Sequence, residues 1–471
     1  MFRQDLRIRD NPALEAACRR GKPIVPIYLW EPEGEWALGA ASRWWLHHSL
    51  LSLQEQLQHL GLQLLIADSP IQLLQIARDT NADQVFYNRL YEPSSIQRDE
   101  AMKRAFRENG IQSFGFNAAL LFEPWEIATK QQTPFKVFTP FWKCCLEKID
   151  NPLPTNADCT PQQSIPPSPT ILKTEKGMVD KLQLLPKIHW DQGLQEEWEP
   201  GEKGAHSALK KALHSVIAPY PETRDRPDLE GVSKLSPHLH FGEISPRQVW
   251  HSVQHCLGPS HPGAIAFLRQ LGWREFAYHL LYHFPATPLH PLYKKFELFP
   301  WREDTVLFKA WTQGKTGYPF VDAGMRQLWH CGWMHNRVRM IAASFLVKDL
   351  LVPWQWGARW FWDTLVDADL ANNTMGWQWT AGCGADAAPY FRIFNPHTQG
   401  EKFDPNRSYV KKWVPELAGL SDKWIYTPWK APEKELQKAG IILGKTYPYP
   451  IIDHEIARQS ALAAFHNLDS N

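Results

Sequence analysis

Cysteine is scarce in this sequence, and its placement excludes several kinds of site. The seven cysteines are scattered along 471 residues, and none of them stands in CxxC spacing. An odd number without that spacing argues against a disulfide framework, a zinc site and an iron–sulfur cluster. We therefore expect no metal site and a reducing compartment, for which the cytoplasm fits best.

Long apolar runs are missing as well. No run reaches the length that spans a bilayer, and the first ten residues, MFRQDLRIRD, are charged where a signal peptide would be apolar.

Neither sign of charge is in excess, because 51 basic residues stand against 50 acidic ones for a net charge of +1. Any affinity for nucleic acid must therefore come from a local patch of basic side chains.

Tryptophan, in contrast, is abundant, with 23 tryptophans against 13 tyrosines. Hydrophobic residues make up 44% of the chain and charged residues 21%, which is typical of a folded protein, and 471 residues exceed one ordinary core. We expect two domains with connecting material, and we expect most of the indoles to pack a large helical core.

Residues 1–130 alternate between helix and strand patterns, which predicts an α/β domain with a doubly wound parallel sheet. The helix patterns lie at 12–20, 41–60, 69–80 and 94–109, and the apolar runs at 23–30, 62–67, 83–88 and 111–116. Such a sheet usually begins with a strand near its centre, yet this chain opens on the loop-like FRQDLRIRDNP. Either the true start lies upstream or the sheet lacks its first strand.

Residues 131–200 are rich in proline and lose helical periodicity, which predicts a long linker on the surface. Residues 201–471 show long amphipathic helices and no convincing strand, which predicts an all-α domain with its site between helices. Helices are expected at 204–217, 247–256, 261–284, 320–331, 335–350 and 353–366.

Three short motifs resemble known sites but lack the necessary context. GCGADA at 382–387 matches a dinucleotide-binding fingerprint, but it follows a tryptophan-rich segment rather than a strand. GKT at 314–316 lacks the earlier glycine of a phosphate loop, so a helix-ending turn explains it better. His238 and His240 have no further ligand cluster near them, and we expect them to form local hydrogen bonds.

Polar groups are concentrated in two stretches of the helical half, GWMHNRVRMIAASF at 332–345 and DADLANNTMGWQW at 367–379. Unpaired charges and amides in a core cost several kcal/mol each, so this density indicates mutual pairing or a polar, flat ligand. A bound cofactor is the first hypothesis. Helical spacing also places the amide of Asn336 beside the thioether of Met340.

Two carboxylates and two indoles in the second stretch need partners. Asp367 and Asp369 have no cation beside them in sequence, and Arg339 is the nearest candidate across the helix pair. Such a buried pair is equally compatible with a purely structural role. Trp377 and Trp379 diverge by roughly 200° on a helix, so one indole can meet a cofactor and the other a ligand cavity.

Four long motifs make the sequence recognisable: WDTLVDADLANNTMGWQWTAGCGADAAPYFRIFNPHTQGEKFDP, TGYPFVDAGMRQLWHCGWMHNRVRM, WREFAYHLLYHFP and FRQDLRIRDNPAL. With them the chain resembles the photolyase/cryptochrome family over essentially its whole length. It looks most like the bacterial class III photolyases for cyclobutane pyrimidine dimers, which are related to plant cryptochromes.

The resemblance implies a U-shaped FAD in the helical domain. The positions near the diphosphate are Tyr220, Val232, Ser233, Lys234, Leu235 and Ser236. Those around the ribose and isoalloxazine are Arg274, Asn336, Arg339, Asp367 and Asp369, with Asn373 opposite flavin N5. An amide at N5 can accept a hydrogen bond from the protonated flavin without adding a negative charge.

The resemblance also implies light-driven repair of a dimer that is flipped out of damaged DNA, by a protein expected to act as a monomer. Electron transfer and catalysis are assigned to Trp301, Trp354, Trp377, Asn373 and Gln270. Lesion and DNA contacts are assigned to Arg224, Gln270, Trp273, Arg337, Met340 and Trp379. Each of the three electron-carrying indoles, taken alone, would be explained as core packing.

A blue-light photoreceptor with weak or no repair activity is the alternative implied by the same family. Plant cryptochromes have an acid at the position of Asn373, a leucine at Trp273 and a tyrosine at Trp379, so these positions favour repair. Gln270 instead favours the photoreceptor, because dimer photolyases carry a glutamate at this position. An amide cannot share a proton with the dimer as a carboxyl group can, so we expect less efficient repair.

A second, light-harvesting chromophore is expected in the amino-terminal domain. Close relatives suggest methenyltetrahydrofolate, and a deazaflavin is the alternative. Asn88, Tyr91 and Glu92 in YNRLYEP match a family motif of this domain. The apparent lack of a first strand leaves the occupancy of the antenna site open.

Overall fold

The computed structural model of the chain describes residues 1–31, 33–149, 177–390 and 392–469. Its amino-terminal part alternates strands and helices as the periodicity predicts. The strands are β1 (Ile27–Leu29), β2 (Leu65–Ala67), β3 (Gln84–Asn88) and β4 (Gln112–Phe116). The helices are α1 (Pro12–Arg19), α2 (Ala40–His59), α3 (Pro70–Asp79) and α4 (Pro93–Glu108). Asn11 and Ser69 begin α1 and α3 by accepting backbone hydrogen bonds with their side chains.

The sheet of this domain is divided. β1 pairs with β2 and β3 with β4, both in parallel, and the described chain contains these pairs as two separate two-stranded sheets. Before α1, Phe2 forms a single parallel bridge to Tyr28. The expected α/β fold is therefore confirmed, and the first strand is reduced to one bridging residue.

The predicted linker at 131–200 is wrong in part, because it contains helices. They are α5 (Phe138–Ile149), α6 (Met178–Lys181) and α7 (Gln192–Glu197). Phe138, Phe141 and Trp142 of α5 are buried in the core of the helical domain. Apolar residues in α5 thus supply core contacts that the frequent prolines nearby obscured in the sequence. Residues 150–176 lie outside the described ranges.

The carboxy-terminal part is helical, which confirms the expected all-α class. Its α-helices are α8 (Glu202–Lys211), α9 (Tyr220–Thr223), α10 (Ser236–His240), α11 (Pro246–Leu257), α12 (Pro262–His283), α13 (Thr305–Thr312), α14 (Pro319–Cys331), α15 (Asn336–Ser344), α16 (Trp354–Thr364), α17 (Leu370–Ala381), α18 (Pro396–Phe403), α19 (Ser408–Trp413), α20 (Glu433–Lys438) and α21 (His454–Asp469). π-Helical turns at Ala212–Val216 and Phe345–Asp349 continue α8 and α15. In the described ranges, no helix combines the length and the apolar character needed to cross a membrane.

The two glycine motifs that lacked context are helix ends. Gly382 follows α17 with a φ of +83°, so GCGADA begins at the end of a helix and not after a strand. Gly314 has a φ of +60° just after α13. Both glycines adopt the left-handed conformation that commonly ends a helix, which was the expectation for Gly314.

Buried polar contacts join the α/β and helical parts. The Arg7 guanidinium, which is 0% exposed, donates to the carbonyl of Gly242 at 2.9 Å. Trp45 Nε1 donates to Glu243 Oε1 at 2.9 Å. Because these contacts surround the end of α10, they fix that helix, and the site residues next to it, against the amino-terminal domain.

Candidate functional site

Asp367 lies at the centre of the polar cluster. Arg339 Nη2 lies 2.9 and 3.0 Å from its two carboxylate oxygens, and Ser236 Oγ donates to Oδ2 at 2.6 Å. Arg339 Nε donates to the carbonyl of Met334 at 2.7 Å, which orients the guanidinium. Asp367 is 9% exposed, so the pairing satisfies a buried charge. The pair that the sequence predicted is therefore present.

Asp369 begins α17 as its N-cap residue. Its Oδ1 accepts from the amide of Asn372 at 2.8 Å, and its Oδ2 accepts from the hydroxyl of Tyr278 and faces His240 Nδ1 at 3.5 Å. Burial would raise the pKa of Asp369, but hydrogen bonding and charge from His240 and the Arg274 guanidinium outweigh burial and lower it. Asp369 is therefore held as a carboxylate.

The start of α15 combines a neutral imidazole with an amide–thioether contact. His335 Nδ1 accepts from the amide of Arg337 at 3.1 Å, and burial lowers the pKa of His335 to about 4. Asn336 Nδ2 lies 3.9 Å from Met340 Sδ, as helical spacing predicts. The residue matched to the flavin and the residue matched to the lesion therefore touch.

Asn373 and Arg274 each donate a hydrogen bond to a backbone carbonyl. Asn373 Nδ2 donates to the carbonyl of Ala358 on α16 at 3.0 Å, so its Oδ1 is the end of the amide that can accept from a ligand. Arg274 Nη1 donates to the carbonyl of Ala119 at 2.6 Å, and its guanidinium lies 4.9 Å from the ring centroid of Tyr278. Arg274 thus connects α12 to the amino-terminal domain.

The residues expected near the diphosphate lie on one connection. Tyr220 begins α9, and residues 232–236 lead into α10. Tyr220 and Leu235 are both buried in one hydrophobic core. Lys234 has a left-handed φ of 54°, and its ammonium forms an ion pair with Glu197. The hydroxyl-bearing segment is thus placed next to Asp367, whereas Lys234 already has an acidic partner.

The two indoles expected at the lesion lie on different helices. Trp273 on α12 is half-buried and stacks on Phe138, with ring centroids 3.7 Å apart and planes 8° apart. On α17, Trp379 is half-buried, whereas Trp377 is 2% exposed, so the two indoles meet different environments as predicted. Gln270, about one turn before Trp273, donates Nε2 to the carbonyl four residues earlier at 3.2 Å.

Two arginines expected to contact DNA flank one acid. Arg337 Nη2 lies 2.8 Å from Asp225 Oδ2, and Arg224 Nε lies 3.8 Å from Asp225 Oδ1. Both arginines are half-buried. Because one carboxylate faces two guanidinium groups, the cluster keeps a positive charge that suits a phosphate.

The three indoles assigned to electron transfer lie on α16 or next to it. Trp377 and Trp354 are 2% and 1% exposed, and Trp301 is half-buried. Trp377 packs on the backbone of Gly357, one turn after Trp354, because a Cβ there would lie 2.0 Å from the indole. The amide that follows Trp301 donates to the carbonyl of Leu351 at 2.8 Å, close to the start of α16. Of the three indoles, Trp301 is therefore the one nearest the surface.

Three contacting residues were missed or only partly foreseen from the sequence. Tyr278, which binds Asp369, stands four residues after Arg274, so helical spacing could have indicated it. His240 was expected to form only a local hydrogen bond, but it faces an acid on another helix. Phe138 stood in the supposed linker, and no sequence spacing connects it to Trp273.

Comparison with known proteins agrees with this arrangement. Residues 1–160 match the family described as DNA photolyase, and residues 267–467 match the FAD binding domain of DNA photolyase. A deoxyribodipyrimidine photo-lyase of Agrobacterium fabrum is 47% identical over 468 residues, which are 98% of this chain and 96% of that protein. Cryptochrome-1 of Arabidopsis thaliana is 41% identical over 97% of this chain and 68% of its own length.

A solved structure extends the likeness to three dimensions. The crystal structure of a bacterial class III photolyase from Agrobacterium tumefaciens superposes with a TM-score of 0.94 at 46% identity, covering 100% of this chain and 97% of that one. The fold, the helical site and these relatives together show that the chain belongs to the photolyase/cryptochrome family.

The side chains of the site fit FAD. Arg339 brings a guanidinium to Asp367, and Asn373 brings an amide to the first turn of α17, which begins at Asp369. Such groups match the polar edge of a flavin. Two buried polar atoms, Nε1 of Trp377 on α17 and Nε2 of His240 against Asp369, have no hydrogen-bond partner in the described chain. Buried donors and acceptors normally have partners, so the two atoms indicate that polar groups of a ligand complete this site.

Proposed function

We propose that this protein repairs cyclobutane pyrimidine dimers in DNA with the energy of light, using FAD. The observation that carries the proposal is the 3.9 Å contact between Asn336 Nδ2 and Met340 Sδ. Since one side chain is matched to the flavin and the other to the lesion, the cofactor and the dimer would share one wall of the pocket. A donor and an acceptor on one wall could exchange an electron without a covalent link between them.

The residues around Asp367 would hold the cofactor. FAD, when bound, supplies a light-absorbing electron donor. Arg339 is fixed on Asp367 at 2.9 Å and would orient polar atoms of the cofactor. Asn373 would present its amide oxygen to a protonated ring nitrogen, since Nδ2 is already engaged at 3.0 Å. The buried packing around these groups would exclude water from the site.

The DNA-facing residues would hold the flipped dimer. Flipping costs a few kcal/mol and less at a poorly stacked, damaged site. Trp273 and Trp379 would offer aromatic faces to the dimer, which has apolar and polar edges. Arg224 and Arg337 would contact phosphates and so fix the register of the strand.

A second set of indoles would return an electron to the cofactor after the cofactor has been oxidised. We propose that Trp301, Trp354 and Trp377 pass an electron inwards in that order. Trp301 comes first because it is half-buried, whereas Trp354 and Trp377 are 1% and 2% exposed. Trp377 comes last because it lies on α17, the helix that also carries Asn373. Because the path begins nearer the surface, a reductant in solution can restore the electron without entering the flavin site.

The deciding experiment measures repair directly. The purified protein is reduced, mixed with single-stranded DNA that contains pyrimidine dimers, and illuminated with blue light. We expect the absorbance of intact pyrimidines to return in the light, while a dark sample and an oxidised sample stay unchanged. Bound FAD without light-dependent repair would contradict the proposal.

One residue favours a photoreceptor with weak or no repair as a second candidate. Gln270 carries an amide about one turn before Trp273, where a carboxyl group could share a proton with the dimer. An amide can only donate or accept hydrogen bonds, so repair is expected to be less efficient. Light-driven reduction of the flavin with no loss of dimers from DNA would favour the photoreceptor.

We further propose a second chromophore in the amino-terminal domain, methenyltetrahydrofolate or, as the alternative, a deazaflavin. Asn88 Nδ2 donates to Asp5 at 2.6 Å and Tyr91 donates to Glu123 at 2.7 Å, so both act within the protein. Glu92 Oε1 is buried without a hydrogen-bond partner in the described chain, and burial raises the pKa of Glu92 to about 7. Mass spectrometry of the chromophores released from the purified protein distinguishes the two compounds.

The working form we propose is a cytoplasmic monomer that acts on damaged DNA. Six described cysteines are free, which suits a reducing compartment. Sedimentation of the holoprotein tests the monomer, and a stable dimer at working concentrations would contradict it.

A further inference from the structure

Helix α12 carries Trp273 on a face that continues as exposed surface towards the start of the helix. Arg269 and Ile265 precede Trp273 by four and eight residues, so the three side chains lie along one face. Trp273 is half-buried, whereas Arg269 is exposed and Ile265 is 55% exposed. A DNA strand held at Trp273 therefore has an open path over Arg269.

Arg269 has a fixed aromatic support. Its guanidinium carbon lies 4.8 Å from the ring centroid of Phe138. The same ring is 0% exposed and stacks on the Trp273 indole, with centroids 3.7 Å apart and planes 8° apart. One buried ring thus positions both the indole that we assign to the lesion and the guanidinium one turn before it. A guanidinium held in this way loses less conformational freedom when it binds a ligand.

The charge of Arg269 is not neutralised within the described chain. No carboxylate of the described residues forms an ion pair with it, in contrast to Arg337, which lies 2.8 Å from Asp225. Asp386, an acid that contacts Phe138, accepts from the backbone amide of Phe138 at 3.3 Å. Arg269 therefore keeps a whole positive charge, and its planar guanidinium suits a phosphate, to which it can donate two hydrogen bonds.

The distance along α12 matches a contact beside the lesion. Four residues of an α-helix rise about 6 Å, so the long side chain of Arg269 can reach a phosphate next to a dimer at Trp273. The neighbouring Gln270 cannot supply a charge, and its Nε2 donates to the carbonyl of Ala266 at 3.2 Å. Arg269 is thus the residue of this turn that suits the DNA backbone.

We propose that Arg269 binds a phosphate of the damaged strand, next to the flipped dimer. It would form a basic contact on α12 that is separate from Arg224 and Arg337. This inference rests on the proposed function, because it requires that Trp273 faces the dimer. The contact would add affinity for the strand and fix its path without reading its bases.

The test measures how DNA binding depends on salt. The holoprotein and its variants are mixed in the dark with single-stranded DNA that contains one pyrimidine dimer, at several KCl concentrations. Loss of one phosphate contact makes the slope of log affinity against log salt shallower by about 0.7 for a single strand. We expect this change in Arg269→Gln, with a rise in Kd of about fivefold at about 0.1 M salt. Arg269→Lys keeps the charge and should keep the natural slope.

Arg107→Gln is the matched control. Arg107 is an exposed arginine on α4 that has no ion pair among the described residues, so the variant loses the same net charge far from α12. Its slope and Kd should equal those of the natural protein. An equal change of slope in Arg107→Gln and Arg269→Gln would reflect net charge alone and would overturn the proposal.

Two further results would also overturn it. One is a natural slope in Arg269→Gln. The other is binding by Arg269→Lys that is as weak as that of Arg269→Gln but has the natural slope, because Arg269 would then only support the ring of Phe138.

Failure of the proposed function would look different. A natural protein that binds the damaged strand no better than an undamaged one would contradict the placement of the lesion at Trp273, and with it both proposals. Preference for the damaged strand together with equal salt slopes in all variants would contradict the contact of Arg269 alone.

Discussion

Phe138 and Trp273 are stacked face to face, with ring centroids 3.7 Å apart and planes 8° apart. Phe138 is 0% exposed and also stacks with Trp142 at 6.3 Å, so the stack is anchored in the core. Trp273 is only half-buried. Phe138 therefore sets the plane of the indole that we assign to the lesion, although it lies on a helix far away in sequence.

Replacement of this phenylalanine should weaken lesion binding. Phe138→Leu removes the stacked face, so the Trp273 indole can tilt, and we expect about a tenfold rise in the Kd for dimer-containing DNA with FAD content unchanged. Phe141→Leu is the matched control, because Phe141 is also buried on α5 and also contacts Phe276, but it does not stack on Trp273. Equal Kd values for the two variants would contradict the positioning role.

Gln270→Glu should raise the repair yield. The new carboxyl group would stand about one turn before Trp273 and could share a proton with the dimer, which the amide cannot do. The quantum yield of dimer loss under blue light measures the effect. Gln254→Glu on α11 introduces the same change at another half-buried glutamine and should leave the yield as it was. An unchanged yield for Gln270→Glu would remove the explanation given for this position.

Asp367→Asn should release FAD and destabilise the fold. The substitution leaves the Arg339 guanidinium without its buried counter-charge, a change that typically costs about 3–5 kcal/mol. We expect a lower ratio of flavin to protein absorbance and a lower Tm. Ser236→Ala removes only the 2.6 Å hydrogen bond and keeps the ion pair, so its effect should be clearly smaller. Full FAD occupancy in Asp367→Asn would show that the ion pair is merely structural.

Trp354→Phe should slow the light-driven reduction of oxidised flavin. Phenylalanine keeps most of the packing in a site that is 1% exposed, but it is much harder to oxidise than an indole. Absorbance of the flavin during illumination with an external reductant follows the reaction. Trp250→Phe, in the other helical core cluster, is the control and should be reduced at the normal rate. The same rate in both variants would exclude Trp354 from the path.

Contacts within one helix or between charged partners could be predicted from the sequence. The Asn336–Met340 contact follows from helical spacing, and the Arg339–Asp367 pair follows from the need of a buried charge for a partner. The lack of a full strand before α1 could also be predicted, because no apolar run precedes that helix in the sequence. Each of these features depends on local pattern or on a simple electrostatic requirement.

Contacts that depend on distant packing could not be predicted in this way. Phe138 belongs to α5, which proline-rich sequence on its carboxy-terminal side hid within a supposed linker. Its partner Trp273 lies on α12, and apolar stacking carries no charge or spacing that could reveal the pairing. The division of the sheet likewise could not be predicted, because it depends on β1 pairing with β2 and β3 pairing with β4.

Acidification should destabilise the protein through His335. Its Nδ1 accepts the amide of Arg337 at 3.1 Å, and protonation would destroy this acceptor. Burial lowers the pKa of His335 from 6.5 to about 4, so between these values the unfolded chain binds a proton that the folded chain does not. The stabilisation is therefore complete above pH 6.5 and is lost as the pH falls towards 4, and a shift of this size corresponds to about 3 kcal/mol.

His335→Asn isolates this contribution. Asparagine keeps a side-chain acceptor at the N-cap position but does not titrate, so the variant should lose less stability on acidification than the natural protein. Urea unfolding between about pH 7 and pH 5 measures both proteins. Other titrating groups, such as His454 beside Asp349, contribute to both curves and cancel in the difference. If the two proteins lose stability in parallel, the imidazole of His335 is not the group that responds to acid.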